Sequence, residues 1–100
     1  MASFKRISTA QAKELIDTGK PVIVDVRDAQ AFNSAHIEGA IMLDNNTVQE
    51  FIATTAKDTP IIVYCYHGNS SQNASQFLVE NGFSDVHSID GGFELWRTQY

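Results

Sequence analysis

The 100-residue chain contains a single cysteine, two prolines and one tryptophan, and its seven basic residues are outnumbered by twelve acidic ones. One cysteine cannot close an internal disulfide, which fits a reducing compartment. The basic residues form no run and the formal net charge is −5. That balance argues against a nucleic-acid or anionic-membrane partner. No apolar stretch approaches the ~20 residues needed to span a bilayer. The opening "MASFKRISTAQ" lacks the apolar core of a signal peptide, so the chain is expected to start here and stay in the cytoplasm. No linker, internal repeat or low-complexity segment interrupts it.

What is present is ordinary globular material, 43% hydrophobic and 19% charged, at the length of one domain over residues 1–100. Two runs are apolar and rich in β-branched residues, Pro21–Val26 ("PVIVDV") and Pro60–Cys65 ("PIIVYC"). Continuous runs of this kind predict strands covered on both faces, at the centre of a parallel sheet. Shorter strand candidates are Phe4–Ser8, Gly39–Leu43 and Val86–Ile89. Three helices are expected between them from i, i+3, i+4 spacing: Ala12, Leu15 and Ile16; Val48, Phe51 and Ile52; Ala74, Phe77 and Leu78. Ser8 and Gln11 form a capping box for the first, and Gly19 and Gly82 are expected as C-terminal stops. Shorter helices are expected over Ala29–Ser34 and Phe93–Gln99. The alternation predicts an α/β fold with a parallel sheet of about five strands and helices on both faces. Ligands of such sheets bind at the carboxyl ends of the strands.

Cys65 lies at that end of the strongest strand. The segment after it, Tyr66-His67-Gly68-Asn69-Ser70-Ser71, must turn before the helix that carries Ala74 and Phe77. Gly68 can take positive φ and Asn69 tolerates it. Successive amides in such a turn form an anion-binding nest. Ser70 or Ser71 would cap the helix, whose N-terminal dipole adds partial positive charge. A thiol in that setting is acidified. The chemistry suggested is a nucleophilic cysteine attacking an anionic substrate, with loop amides holding the charge. The plain alternative is an inert core cysteine, a common fate for this residue type.

Four segments then resemble the rhodanese family, specifically its small bacterial single-domain type. Val24–Leu43 ("VDVRDAQAFNSAHIEGAIML") is similar to the family's Asp-x-Arg and its later His-Ile-x-Gly-Ala. Val63–Ser71 ("VYCYHGNSS") resembles its six-residue active-site loop. Asn81–Val86 and Ser88–Trp96 ("SIDGGFELW") resemble its last strand and its Gly-Gly-x-x-x-Trp turn and helix. The resemblance implies a rhodanese fold and a thiosulfate sulfurtransferase. Cys65 would take the outer sulfur of thiosulfate as a persulfide, release sulfite, and pass the sulfur to cyanide or to a thiol or dithiol acceptor, of which a thioredoxin-like protein is one form. The family needs no metal or organic cofactor. With no second cysteine, the acceptor must be external.

Two departures stand out. Tyr66 and His67 occupy places where many rhodaneses carry basic residues, so the loop amides carry more of the anion binding. Ala35 stands where the family often has Gly. Among the other residues, Asp25 and Arg27 follow a strand end on the ligand side; they read first as a structural ion pair, with Arg27 as a charge behind the site. His36 reads as structural and His87 as a strand or edge residue. His67 is either a contributor of charge when protonated or a solvated side chain. The three histidines and the cysteine lack metal-ligand spacing. Gly91-Gly92 reads as a tight turn and Trp96 as packing. Cysteine phosphatases and arsenate reductases share the strand–loop–helix logic but place Arg six residues after the Cys; here that place holds Ser71. A sulfur-carrier or interaction module is the non-enzymatic alternative.

Overall fold

The computed structural model describes residues 3–100. Five strands and five helices alternate: β1 (Lys5–Ile7), α1 (Thr9–Gly19), β2 (Val22–Asp25), α2 (Ala29–Ser34), β3 (Ile41–Met42), α3 (Val48–Thr54), β4 (Ile61–Tyr64), α4 (Ser70–Glu80), β5 (Val86–Ile89) and α5 (Gly92–Gln99). The strands form one sheet in the order β1-β5-β4-β2-β3, and each pairing is parallel. Among the described residues, no helix is long and apolar enough to cross a membrane.

The two long apolar runs become β2 and β4, side by side in the sheet's interior. Alternation along the strands splits the core into two. Ile62 and Tyr64 of β4 join Ile23, Ile89, Ala12, Phe93 and Trp96 on the face covered by α1 and α5. Ile61 and Val63 join Val24, Val86, Leu78 and Phe51 on the face covered by α3 and α4. Period-two geometry makes this division: successive side chains leave opposite faces of a strand. Complete burial of all four β4 residues is what a continuous apolar run demands.

The predicted elements are present, with local corrections. The Ser8–Gln11 capping box forms. Gly19 does not stop α1: it is the last helical residue, and the left-handed cap is Lys20 at φ 51°. Lys20 precedes Pro21, and a residue before proline is disfavoured in the right-handed helical region, so the break falls one residue later than the glycine suggests. Gly82 does follow α4 in the left-handed region, at φ 102°. His87 lies on β5, an interior strand, and not at a sheet edge.

Candidate active site

Cys65 is the first residue past β4, at the carboxyl edge of the central strand, and it is 4% exposed. By strand alternation it belongs with Ile61 and Val63 on the α4 side of the sheet. The chain then turns through Tyr66–Asn69 and enters α4 at Ser70. Gly68 supplies the turn at φ +92°. A Cβ there would lie 2.9 Å from the Gly91 nitrogen and 3.1 Å from the Ile89 oxygen. Glycine is therefore required both for the backbone conformation and for the close approach of the β5–α5 turn.

The loop closes around the sulfur. The Gly68 and Ser71 amides donate to Cys65 Sγ at 3.2 and 3.3 Å, and Ser71 Oγ lies 3.4 Å from it. Burial raises the thiol pKa, but the Ser71 hydroxyl and the Ser71, Gly68 and His67 amides together outweigh it, and the net shift is downward from 9.0. Among the described residues, the amides of Asn69 and Ser70 donate to no backbone carbonyl, and they lie at the α4 N-terminus, where donors and dipole favour an anion. The sulfur thus sits beside an anion-receptive turn whose donors favour its thiolate form.

Two expectations for this loop are corrected. Neither Ser70 nor Ser71 caps α4: the N-cap is Asn69, with no side-chain hydrogen bond. The helix starts at Ser70, which puts both serines inside its first turn and turns Ser71 inward, fully buried. Asn69 takes φ −92°, because Gly68 alone makes the left-handed turn.

A second layer holds the loop in place. Gly92 stands at φ +60°, and a Cβ on it would come within 2.6 Å of the carbonyl oxygens of both Cys65 and Tyr66. The following amides use this approach: Phe93 N–H donates to Cys65 O at 2.8 Å and Glu94 N–H to Tyr66 O at 3.0 Å. From the other side, Gln72 Nε2 donates to Gly68 O at 2.7 Å. Gly91-Gly92 is the tight turn expected, but its use as a clamp on the cysteine loop was not visible in the local pattern. Ser88 was missed as well. It is fully buried on β5, and its Oγ lies 2.8 Å from Ser71 Oγ. The signal was available in strand alternation, which sets Ser88 on the same face as Val86, toward α4.

Asp25 and Arg27 do form a buried ion pair, Arg27 Nη2 to Asp25 Oδ2 at 2.7 Å. Arg27 Nη2 also donates to Ala35 O at 2.6 Å, and the guanidinium lies 4.3 Å from the Phe93 ring centroid and 5.6 Å from that of Tyr66. Arg27 therefore underlies the start of the loop with its charge balanced by Asp25. The Tyr64 hydroxyl accepts from Ile37 N, and burial beside Asp25 pushes its phenol pKa up. Tyr66 is exposed and its hydroxyl donates to Asp28, which also caps α2 through Ala31 N. His67 is exposed at the loop mouth. His36 stacks on Phe32 with centroids 4.0 Å apart and lies outside the loop. No group of three or more His, Cys, Asp or Glu among the described residues is placed to hold a metal. A groove of about 580 Å³ runs alongside, between Arg27, Leu43, Val48, Asn73 and Phe77.

The rhodanese-like domain family model matches residues 8–99. The chain belongs to the rhodanese-like family. It is 56% identical over 100 residues to thiosulfate sulfurtransferase GlpE of Pseudomonas savastanoi pv. phaseolicola, covering 100% of this chain and 93% of that one. It is 57% identical to thiosulfate sulfurtransferase GlpE of Pseudomonas putida, covering 100% and 91%. Among solved structures it resembles a rhodanese-like domain protein from Staphylococcus aureus, with TM-score 0.80, 28% identity and coverage of 93% and 91%. A Rhodopseudomonas palustris protein of unknown function, described as a possible tyrosine phosphatase, superimposes with TM-score 0.82 at 26% identity, covering 95% and 80%. The rhodanese fold thus accommodates more than one suggested chemistry, and the loop must discriminate between them.

Proposed function

We propose that this rhodanese is a thiosulfate sulfurtransferase that works through a persulfide on Cys65. The observation that carries the proposal is the convergence of two amides and a hydroxyl on the Cys65 sulfur at 3.2–3.4 Å, and the whole-chain similarity to GlpE sulfurtransferases supports the substrate. The Cys65 thiolate attacks the outer sulfur of thiosulfate. The new S–S bond forms as the S–SO₃ bond breaks, and sulfite leaves with that electron pair. The loop amides bind the anion on arrival and hold the charge of the persulfide. A thiophilic acceptor then attacks the terminal sulfur and the thiolate returns. With cyanide the product is thiocyanate; in the cell a thiol or dithiol, such as that of a thioredoxin-like protein, takes the sulfur. The thiolate must stay reduced, which suits the cytoplasm. Asp25 and Arg27 support the loop from beneath, Tyr66 and His67 line its mouth, and Gly68, Asn69, Ser70 and Ser71 form the anion-facing turn.

Phosphate chemistry is the competing use of such a loop. Phosphoryl transfer spreads negative charge over three oxygens and is catalysed largely by cations and donors held in position. Ser71 occupies the place of the phosphatases' arginine, and Arg27 is already engaged by Asp25 and Ala35. The paired assay is thiocyanate formation from thiosulfate and cyanide beside nitrophenol release from nitrophenyl phosphate, on one preparation. Sulfur transfer without useful phosphate hydrolysis is expected. Phosphate hydrolysis without thiocyanate would replace the sulfurtransferase by a phosphatase.

A further inference from the structure

We infer that Ser88 is a positioning residue that orients the Ser71 hydroxyl toward Cys65 and so favours the thiolate. The inference rests on Cys65 being the nucleophile. Three side chains from three elements lie in a row: Ser88 Oγ is 2.8 Å from Ser71 Oγ, which is 3.4 Å from Cys65 Sγ. Ser71 and Ser88 have no solvent exposure. Among the described residues, Ser71 Oγ is the hydrogen-bond partner of Ser88 Oγ, and Ser71 Oγ bonds only Ser88 and Cys65. Two proton arrangements satisfy this geometry. In one, Ser88 O–H donates to Ser71 Oγ and Ser71 O–H donates to Sγ, so every hydroxyl proton has an acceptor, and the sulfur accepts most strongly as a thiolate. In the other, the thiol S–H donates to Ser71 and Ser71 donates to Ser88. The Ser88 proton is then left in the interior without an acceptor, which is unfavourable. The buried end of the row therefore favours loss of the Cys65 proton to solvent.

The ionisable groups around the loop come from each element packed on it: Tyr66 and His67 in the loop, Asp25 and Arg27 from the end of β2, Asp28 at the start of α2, Asp90 after β5, and Glu94 in the first turn of α5. None of them makes a hydrogen bond to Sγ through its side chain. Ser75 provides a natural control. It lies one turn further along α4, is fully buried, and its hydroxyl has no hydrogen-bond partner among the described residues.

The test is the pH midpoint of Cys65 thiolate formation, read from the rate of iodoacetamide alkylation. A single cysteine makes that signal unambiguous, and the readout is independent of sulfur transfer, so failure of the proposed activity would not imitate failure of this inference. Ser88→Ala is expected to raise the midpoint by about half to one pH unit, slowing alkylation below the midpoint by about three- to tenfold. Ser75→Ala is expected to leave it in place. Ser71→Ala is expected to raise the midpoint at least as far, and adding Ser88→Ala to Ser71→Ala should shift it no further, because Ser88 acts through Ser71. Ser88→Gly takes the place of Ser88→Ala throughout if the alanine variant does not fold. An unchanged midpoint in a folded Ser88 variant, or fully additive shifts in the double variant, would overturn the inference.

Discussion

Replacing Gly92 by alanine tests how the loop is held. Gly92 stands at φ +60°, a backbone conformation that costs an L-residue about 1–2 kcal/mol. The new Cβ would meet the carbonyl oxygens of Tyr66 and Cys65 at 2.5 and 2.6 Å. Both are backbone atoms on the segment that begins the cysteine loop, so no flexible side chain can move aside. Relief requires α5 and the loop to separate, which breaks the hydrogen bonds from Phe93 N to Cys65 O and Glu94 N to Tyr66 O. Each contributes about 1 kcal/mol. The expected loss is about 3–4 kcal/mol, a large share of the ~5–15 kcal/mol that stabilises a typical domain. Urea unfolding followed at constant slope measures it, and thiocyanate formation at a temperature where the variant remains folded should fall with the displaced loop. Gly39 supplies the comparison. It has φ +86°, but a Cβ added there would meet nothing within 4 Å, so Gly39→Ala should lose only the backbone contribution and keep its activity. Equal losses in the two variants, or a Gly92→Ala protein with native stability and turnover, would refute the claim that α5 clamps the loop.

Two further outcomes follow from buried charge and from the acidified thiol. Asp25→Ala leaves the Arg27 guanidinium, whose side chain is 3% exposed, without its counter-ion, and should cost about 3–5 kcal/mol in thermal or urea unfolding; a loss below about 1 kcal/mol would show that the pair is dispensable. The Cys65 pKa is lowered in the folded protein, so sulfur transfer should rise with pH through a midpoint below 9.0. By linkage, thiolate formation adds stability that is fully present above the unfolded thiol's pKa and is lost as pH falls through the folded one. Cys65→Ser should abolish that pH dependence of stability, as urea midpoints across the range would reveal; a midpoint profile identical to the native one would contradict an acidified Cys65.

The sheet was legible in the amino-acid pattern because each interior strand is a short apolar run and each helix shows one apolar stripe. β4 and β2 could be placed at the centre from burial demands alone, and the rule for parallel sheets put Cys65 at the ligand end. Element ends were less legible: Lys20 rather than Gly19 breaks α1 because the following proline intervenes. In the loop, the turn at Gly68 followed from glycine's backbone freedom. The inward turn of Ser71 did not, since a serine near a helix start is equally a cap, and its partner Ser88 is 17 residues away. Gly92 likewise looks local until α5 is docked against Cys65 and Tyr66. Contacts between β5, α5 and the loop arise from the tertiary arrangement, and no local periodicity encodes them.

The central claim is a sulfur atom carried on Cys65, and intact mass of the protein tests it most directly. After incubation with thiosulfate and removal of excess reagent, the native protein should gain the mass of one sulfur, lose it on addition of cyanide with release of thiocyanate, and Cys65→Ser should show neither change. Native protein that turns over thiosulfate and cyanide without ever carrying the added sulfur, or a Cys65→Ser protein that still gains it, would contradict the account.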